Sequence, residues 1–197
     1  VFKVKDFIVC LDFGHGGKDV GAVDKIGDDA IYKDKYYTEE SRLVLKVGLK
    51  LKKKLEEKTN YKVILTRKDD NYLKLSTRTQ IANRANADIF VSLHANAFFK
   101  ASVSGIETLF YPTSKLGRKL ATELQIEMIE NTDAVDRGIR ERDDLYVLKH
   151  TDMPAALVEL GFITNTREEE FLQSENYQNI LINSIIDGIN SYYESTK

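Results

Sequence analysis

Three short apolar runs of this chain end in polar residues able to do chemistry. Phe7 to Asp12 runs into Phe13-Gly14-His15-Gly16-Gly17, Asp88 to Leu93 into His94-Ala95-Asn96, and Ala155 to Val158 into Glu159-Leu160-Gly161-Phe162. In open α/β sheets ligands bind beyond the carboxyl ends of strands, so these residues outrank polar residues elsewhere. A histidine near an apolar strand can be a satisfied structural residue, but two of the chain's 3 histidines stand at such ends. Neutral imidazole is the commonest metal ligand, and two imidazoles with one carboxylate leave a zinc ion an open position for water. Glu159 is the most telling residue. An ionised carboxylate inside Ala155-Ala156-Leu157-Val158-Glu159-Leu160 is costly to desolvate unless it is paired, hydrogen-bonded or beside a metal. It is either a general acid/base tuned by burial and a nearby cation, or a buried glutamate saturated by backbone amides or an arginine.

Other chemistries fail on spacing. Gly14 to Asp19 is glycine-rich, but Asp19 follows Lys18 where a phosphate loop needs Ser or Thr, and no G-x-G-x-x-G register fits. His15, His94 and His150 each lack a second histidine four residues on, and Lys18 stands where a carboxypeptidase-like pattern would place Glu. No Gly-x-Ser-x-Gly elbow supports serine hydrolysis.

The elements that must position these groups can be read from periodicity. Phe7 to Asp12, Lys62 to Thr66, Asp88 to His94, Gly105 to Tyr111 and Ala155 to Leu160 are short, apolar and closed by turn-formers, as buried strands are. Helical spacing follows Glu40 (Val44, Val47, Leu51, Leu55) and recurs at Ile81, Ala82 and Ala85. It returns at Leu116, Leu120, Leu124 and Met128, and again from Tyr177 through Leu181, Ser184, Ile185 and Ile189 to Tyr192. Thr166 and Glu169 fit a capping box opening a helical turn. The alternation predicts an α/β fold: a single domain over 1–197, with a twisted, mostly parallel or mixed sheet of about six strands and helices on both faces. Pro112 and Pro154 flank strands without interrupting them.

Composition excludes several classes. The 197 residues carry 29 Lys+Arg against 31 Asp+Glu, a net charge of −2, and 42% are hydrophobic, which suits an ordinary domain with a sizeable core. That balance fits neither a disordered acidic segment nor a polycation that holds nucleic acid. Lys50 to Lys58 is diluted by Glu56 and Glu57 and reads as a solvated helix face. Cys10, alone, permits neither an intramolecular disulfide nor a thiolate cluster, and its apolar run makes it a small buried residue. No run reaches the ~18 apolar residues of a membrane span. Val1 to Asp6 lacks a secretory pattern, so any signal segment is expected to be absent from this chain.

In their order along the chain, the motifs resemble a known family. Leu11-Asp12-Phe13-Gly14-His15-Gly16-Gly17-Lys18-Asp19 with Gly21-Ala22 resembles the opening block of the zinc-dependent N-acetylmuramoyl-L-alanine amidases, cell-wall hydrolases of bacteria, phages and spores. Thr66-Arg67 with Asp70, Leu75, Arg78 and Ala82-Asn83 is similar to the second block, and Ser92 to Ala97 to the third. Arg137-Gly138-Ile139 is similar to the fourth and Met153 to Asn165 to the last. The resemblance implies zinc on His15, Glu40 and His94, with Glu159 as the catalytic carboxylate. Glu39 competes with Glu40. The family's ligand stands five and nine residues before helical leucines, which favours Glu40 through Leu45 and Leu49. Phe13 stands where the family usually has proline, a departure expected to loosen the His15 loop.

The implied reaction is hydrolysis of the amide between N-acetylmuramic acid and L-alanine in peptidoglycan. Glu159 would take a proton from water and return it to the leaving nitrogen, because an amide nitrogen leaves poorly unless protonated. Asn96 could bind substrate or fix its own turn. Alternatives are another zinc peptidase or deacylase acting on cell wall, and a non-catalytic peptidoglycan-binding module. Neither wall-binding repeats nor an inhibitory helix is recognisable. Targeting or regulation is therefore expected from a protein partner or a removed segment, in an extracytoplasmic setting of cell wall or spore cortex.

Overall fold

Each run read as a strand forms one, and a further strand joins them. The computed structural model describes residues 6–23 and 38–197, so the reading of the extreme amino terminus lies almost wholly outside the described residues. The strands are β1 (Ile8–Phe13), β2 (Lys62–Leu65), β3 (Ile89–Asn96), β4 (Ile106–Phe110), β5 (Asp136–Glu141) and β6 (Ala155–Phe162). They pair in the order β2-β1-β3-β6-β4-β5, all neighbours parallel except β4 and β6. Thus β4 and β5 run against the other four. The parallel strands β1 and β3 are buried on both faces, which is why they read as nearly continuous apolar runs. β5 did not read as a strand because four of its six residues, Asp136, Arg137, Arg140 and Glu141, are charged. It is one of the sheet's two outer strands, where charge deters pairing with another chain.

The helices are α1 (Glu40–Lys58), α2 (Leu75–Arg84), α3 (Lys115–Glu130), α4 (Tyr146–Lys149), α5 (Thr166–Gln173) and α6 (Glu175–Glu194). On one face of the sheet Leu11, Leu93 and Val158 meet α1, α3 and α6 in the main core. Cys10, Phe90 and Leu157 point the other way and pack under Ala82 of α2 and Val147 and Leu148 of α4. Cys10 is buried as expected, and burial first, then the Asp12 carboxylate, push its thiol far above its ordinary value. Each fully buried Leu, Val or Phe contributes roughly 1.5–3 kcal/mol. The larger cluster therefore carries most of the stability, and the thinner layer leaves the carboxyl ends of β1, β3 and β6 accessible.

Two local expectations change, and one short helix is new. Asn165, and not Thr166, caps α5: its side chain accepts from the Glu168 N–H at 3.1 Å, and Thr166 is the first helical residue. α4 is a single turn, too short to show periodicity. Part of the lysine face is joined to α6: Lys50, Lys54 and Lys58, one turn apart, donate to Gln178, Asn179 and Asn183 at 3.0 Å. Lys52 and Lys53 instead pair with Glu56 and Glu57 along α1.

Phe13 does not loosen its loop. It is fully buried, and its ring lies against Gly48 of α1 so closely that a Cβ there would overlap it. Alanine at 48 would gain about 1 kcal/mol of helix propensity, but overpacking costs about 1–3 kcal/mol. Gly48→Ala should therefore lower the urea midpoint, and Phe13→Leu in the same background should recover part of the loss. A midpoint raised by Gly48→Ala would show that the ring is not seated there.

Candidate metal centre

Beyond β1 the backbone turns on a left-handed His15 (φ 61°), followed by Gly16 (φ 125°) and Gly17 (φ 58°). A residue with a side chain holds that conformation only where its surroundings impose it. Two buried arginines do so. Arg67 donates to the carbonyls of Phe13 (2.7 Å), Gly14 (2.8 Å) and Ser41 (2.7 Å). Arg78 donates to the carbonyls of Phe13 (2.7 Å) and His15 (2.5 Å) and pairs with Asp12 at 2.8 Å. Asp12 also accepts from Thr66 (2.6 Å) and Ser92 (2.7 Å). Burial disfavours the Asp12 charge, but Arg78 and the two hydroxyls outweigh it and hold the carboxyl below its ordinary value.

His15 is also oriented from its far side. Its Nδ1 lies 3.0 Å from Asp19, which leaves Nε2 facing Glu40 at 3.1 Å. A carboxylate behind an imidazole fixes the tautomer and direction of a ligating nitrogen. Glu40 opens α1 and is buried. One of its oxygens accepts from the Ala22 N–H at 2.8 Å; the other accepts from the Ala95 N–H at 3.1 Å and faces His94 Nδ1 at 2.8 Å. Burial opposes its charge, yet the two imidazoles hold it well below the usual carboxylate range. Burial also opposes charge on His15 and His94, and hydrogen bonding to Glu40 reverses this and raises both. Gly21 adopts a left-handed φ of 69°, and a Cβ there would collide with Glu40 and His15. Glu39 lies outside this cluster, paired with Arg42 at 2.7 Å.

His15, Glu40 and His94 each offer a donor atom, all within 4.8 Å of one another. Two neutral-capable imidazoles and a carboxylate form a donor set that fits a catalytic zinc site, whose remaining position stays open. The register places a fourth group beside them: His94 pairs with Glu159 across β3 and β6, and Glu159 with Glu107 across β6 and β4. Directly paired residues share a face, so the three form a row. Glu159 Oε2 is shielded from solvent and has no hydrogen-bond partner among the described residues. Burial pushes the group up to about 7; Glu40 and Glu107 add to this, while His94 and His15 oppose it. A glutamate serving only to satisfy buried donors would not leave that oxygen unpartnered.

Asn96 donates to Glu107 at 2.7 Å and accepts from the Ala97 N–H at 2.8 Å, so it does fix its turn. His150 stands apart, its ring tilted against that of Tyr146 with centroids 4.1 Å apart. Sequence reading gave no role to Asp19, Glu107 or the arginine pair. Arg67, Arg78 and Asp19 lay within quoted motifs, but only the folded chain shows them meeting the His15 turn.

Fold and site define an α/β protein with a candidate metal centre beside a buried carboxylate. The chain belongs to the N-acetylmuramoyl-L-alanine amidase family, whose model matches residues 9–191. It is 38% identical over 188 residues to the uncharacterised protein YqiI of Bacillus subtilis, covering 94% of this chain and 84% of that one. With the amidase LytC of the same organism it shares 33% identity over 190 residues, covering 94% of this chain but 35% of LytC. The structure of the Clostridioides difficile CwlD amidase in complex with the GerS lipoprotein superposes with a TM-score of 0.87 at 32% identity, covering 96% of this chain and all (100%) of that one.

Two outcomes follow from this geometry. In a chelator-competition titration, Glu40→Gln should weaken zinc binding about 100-fold and Glu39→Gln should leave it unchanged; the opposite pattern would refute the assignment. Because the Asp12 pKa is depressed in the native state, its stabilisation is complete above the unfolded-state value of about 4 and is lost as pH falls through the lower native value. The wild-type urea midpoint should therefore fall more steeply below about pH 4 than that of Asp12→Asn. Parallel profiles would show that Asp12 contributes no such linkage.

Proposed function

We propose that this chain hydrolyses the amide between N-acetylmuramic acid and L-alanine in peptidoglycan, with zinc held by His15, Glu40 and His94 and a proton carried by Glu159. The observation that carries this reading is the shielded, unpartnered Glu159 oxygen in register beside the imidazole–carboxylate cluster. Family membership supplies the bond that is cut.

Zinc, when bound, supplies a Lewis acid for the lactyl carbonyl and brings the pKa of water to about 7. Glu159 accepts the proton of the attacking water and returns it to the L-alanine nitrogen, so that an amine departs. Burial keeps its proton affinity near neutrality, where one group can serve as base and then acid. Glu40 stays ionised and spans the two imidazoles, while Asp19 holds His15 so that its Nε2 faces inward. Asn96 contacts the substrate from the end of β3 in this reading.

Peptidoglycan as substrate sets the enzyme outside the cytoplasm, in cell wall or spore cortex. This agrees with relatives that include a germination-specific amidase of B. subtilis. A targeting or regulatory protein partner belongs to the same proposal, as CwlD is seen with GerS. Among the described residues no helix is long and apolar enough to cross a membrane.

The test is a digest of purified peptidoglycan with products identified by mass spectrometry. Wild-type protein should release peptides headed by L-alanine, and a chelator should abolish the release. Glu159→Gln should keep its thermal midpoint and zinc content while turnover falls about 10²–10⁴-fold. A variant that melts early yet cleaves at a near wild-type rate per folded molecule would overturn the role of Glu159.

A further inference from the structure

We infer that the trough beside Glu159 binds the acidic stem peptide of the substrate through a row of arginines, so that the peptide leaves over β4 and β5. This rests on the amidase reading above.

A cavity of about 850 Å³ lies over the β4–β5 edge, and Glu107, the cross-strand partner of Glu159, lines it. Arg118, Arg137, Arg140 and Arg142 line it too, against two carboxylates, Glu107 and Glu141, in a chain whose net charge is −2. Arg142 is held by Asp144 through two hydrogen bonds, at 2.7 and 2.8 Å, so the local positive charge open to a ligand rests on Arg118, Arg137 and Arg140. Glu107 does not cancel it so much as arrange it: it accepts from Arg140 Nε at 2.9 Å and from Arg137 Nε at 3.4 Å. The Arg137 guanidinium also lies over the Phe162 ring at 5.0 Å. A guanidinium has five N–H donors, so Arg140, bound through Nε and 55% exposed, keeps its terminal nitrogens for a ligand. The Arg118 guanidinium, reaching in from α3, has no partner among the described residues. Phe98 lines the same trough and packs against the Phe99 ring, giving the wall an apolar rim.

The chemistry of the substrate assigns the direction. In a muramyl peptide the sugar's own carboxyl is tied up in the amide to be cut, and its hydroxyl and acetamido groups are neutral. The free carboxylates all lie on the peptide beyond L-alanine. Forked guanidiniums match carboxylates with paired hydrogen bonds, which neutral sugars cannot supply.

The experiment uses zinc-loaded wild type, Arg118→Gln and Arg140→Gln. The substrates are two soluble muramyl tripeptides differing only in a free α-carboxylate or a carboxamide on the glutamyl residue after L-alanine. Wild type should prefer the acid by about tenfold in kcat/KM. Each variant should lose most of that preference through KM, any change in kcat being common to the acid and the carboxamide. Calorimetry with the free acidic tripeptide, which needs no turnover, should show the same loss of affinity. The inference is overturned if wild type shows no preference, if the variants match wild type, or if they lose equally on both substrates. It is likewise overturned if inorganic phosphate binds as tightly as the tripeptide, which would mark a general anion trough. If wild type cleaves neither substrate, the amidase reading itself fails, whereas cleavage of both without discrimination removes only the stem-peptide inference.

Discussion

The Asp12–Arg78 ion pair is the constraint on which the rest of the site depends. A buried pair of this kind is weak evidence for stability, since desolvating two charges consumes most of what their attraction returns. Its value here lies in the donors left over. With one nitrogen committed to Asp12 and the Phe13 carbonyl, Arg78 still reaches the His15 carbonyl. Arg67 ties the same turn to Ser41 in the first turn of α1. The end of a strand and the start of a helix, far apart in sequence, are thereby locked to each other, which is what brings His15 and Glu40 together. Without that lock the left-handed His15 would be free to relax, and the imidazole would swing with it.

The sheet is asymmetric for a related reason. α1, α3 and α6, with Leu172 of α5, bury one face, whereas α2 and the single turn of α4 cover only part of the other. A second full helical layer would add stability but would also roof the carboxyl ends of β1, β3 and β6. The thin layer thus leaves room over the row of His94, Glu159 and Glu107, whose alignment is set by strand register alone.

Much of this was legible in the sequence because it rests on local pattern. The apolar runs of β1, β3 and β6 and the stripe of α1 announced themselves, and the polar residues closing those strands pointed to the site. What escaped was either too short or too polar to show a period, as with α4 and β5, or was created by contact between distant segments. The arginine clamp on residues 13–15 is of the second kind: nothing in the spacing of Arg67 and Arg78 says that both reach the same turn. The departure at Phe13 was misjudged because its meaning lies in Gly48, 35 residues away, whose missing side chain makes room for the ring. Residue 13 taken alone suggested a loosened turn, and the pair shows a seated one.

The reversal of direction at β4 has a consequence for how such a protein can change over generations. The donors of the candidate metal centre come from the turn after β1, from β3 and from α1, and Glu159 comes from β6; none comes from β4 or β5. Those two strands sit together at one end of the sheet, joined to the remainder by the antiparallel seam with β6. β5 pairs with β4 and not with β6, so substitutions on that outer strand do not touch the pairings among β1, β3 and β6. A lineage can therefore vary the charge of that outer strand without disturbing the donors of the candidate metal centre, because the two lie on separate parts of one sheet.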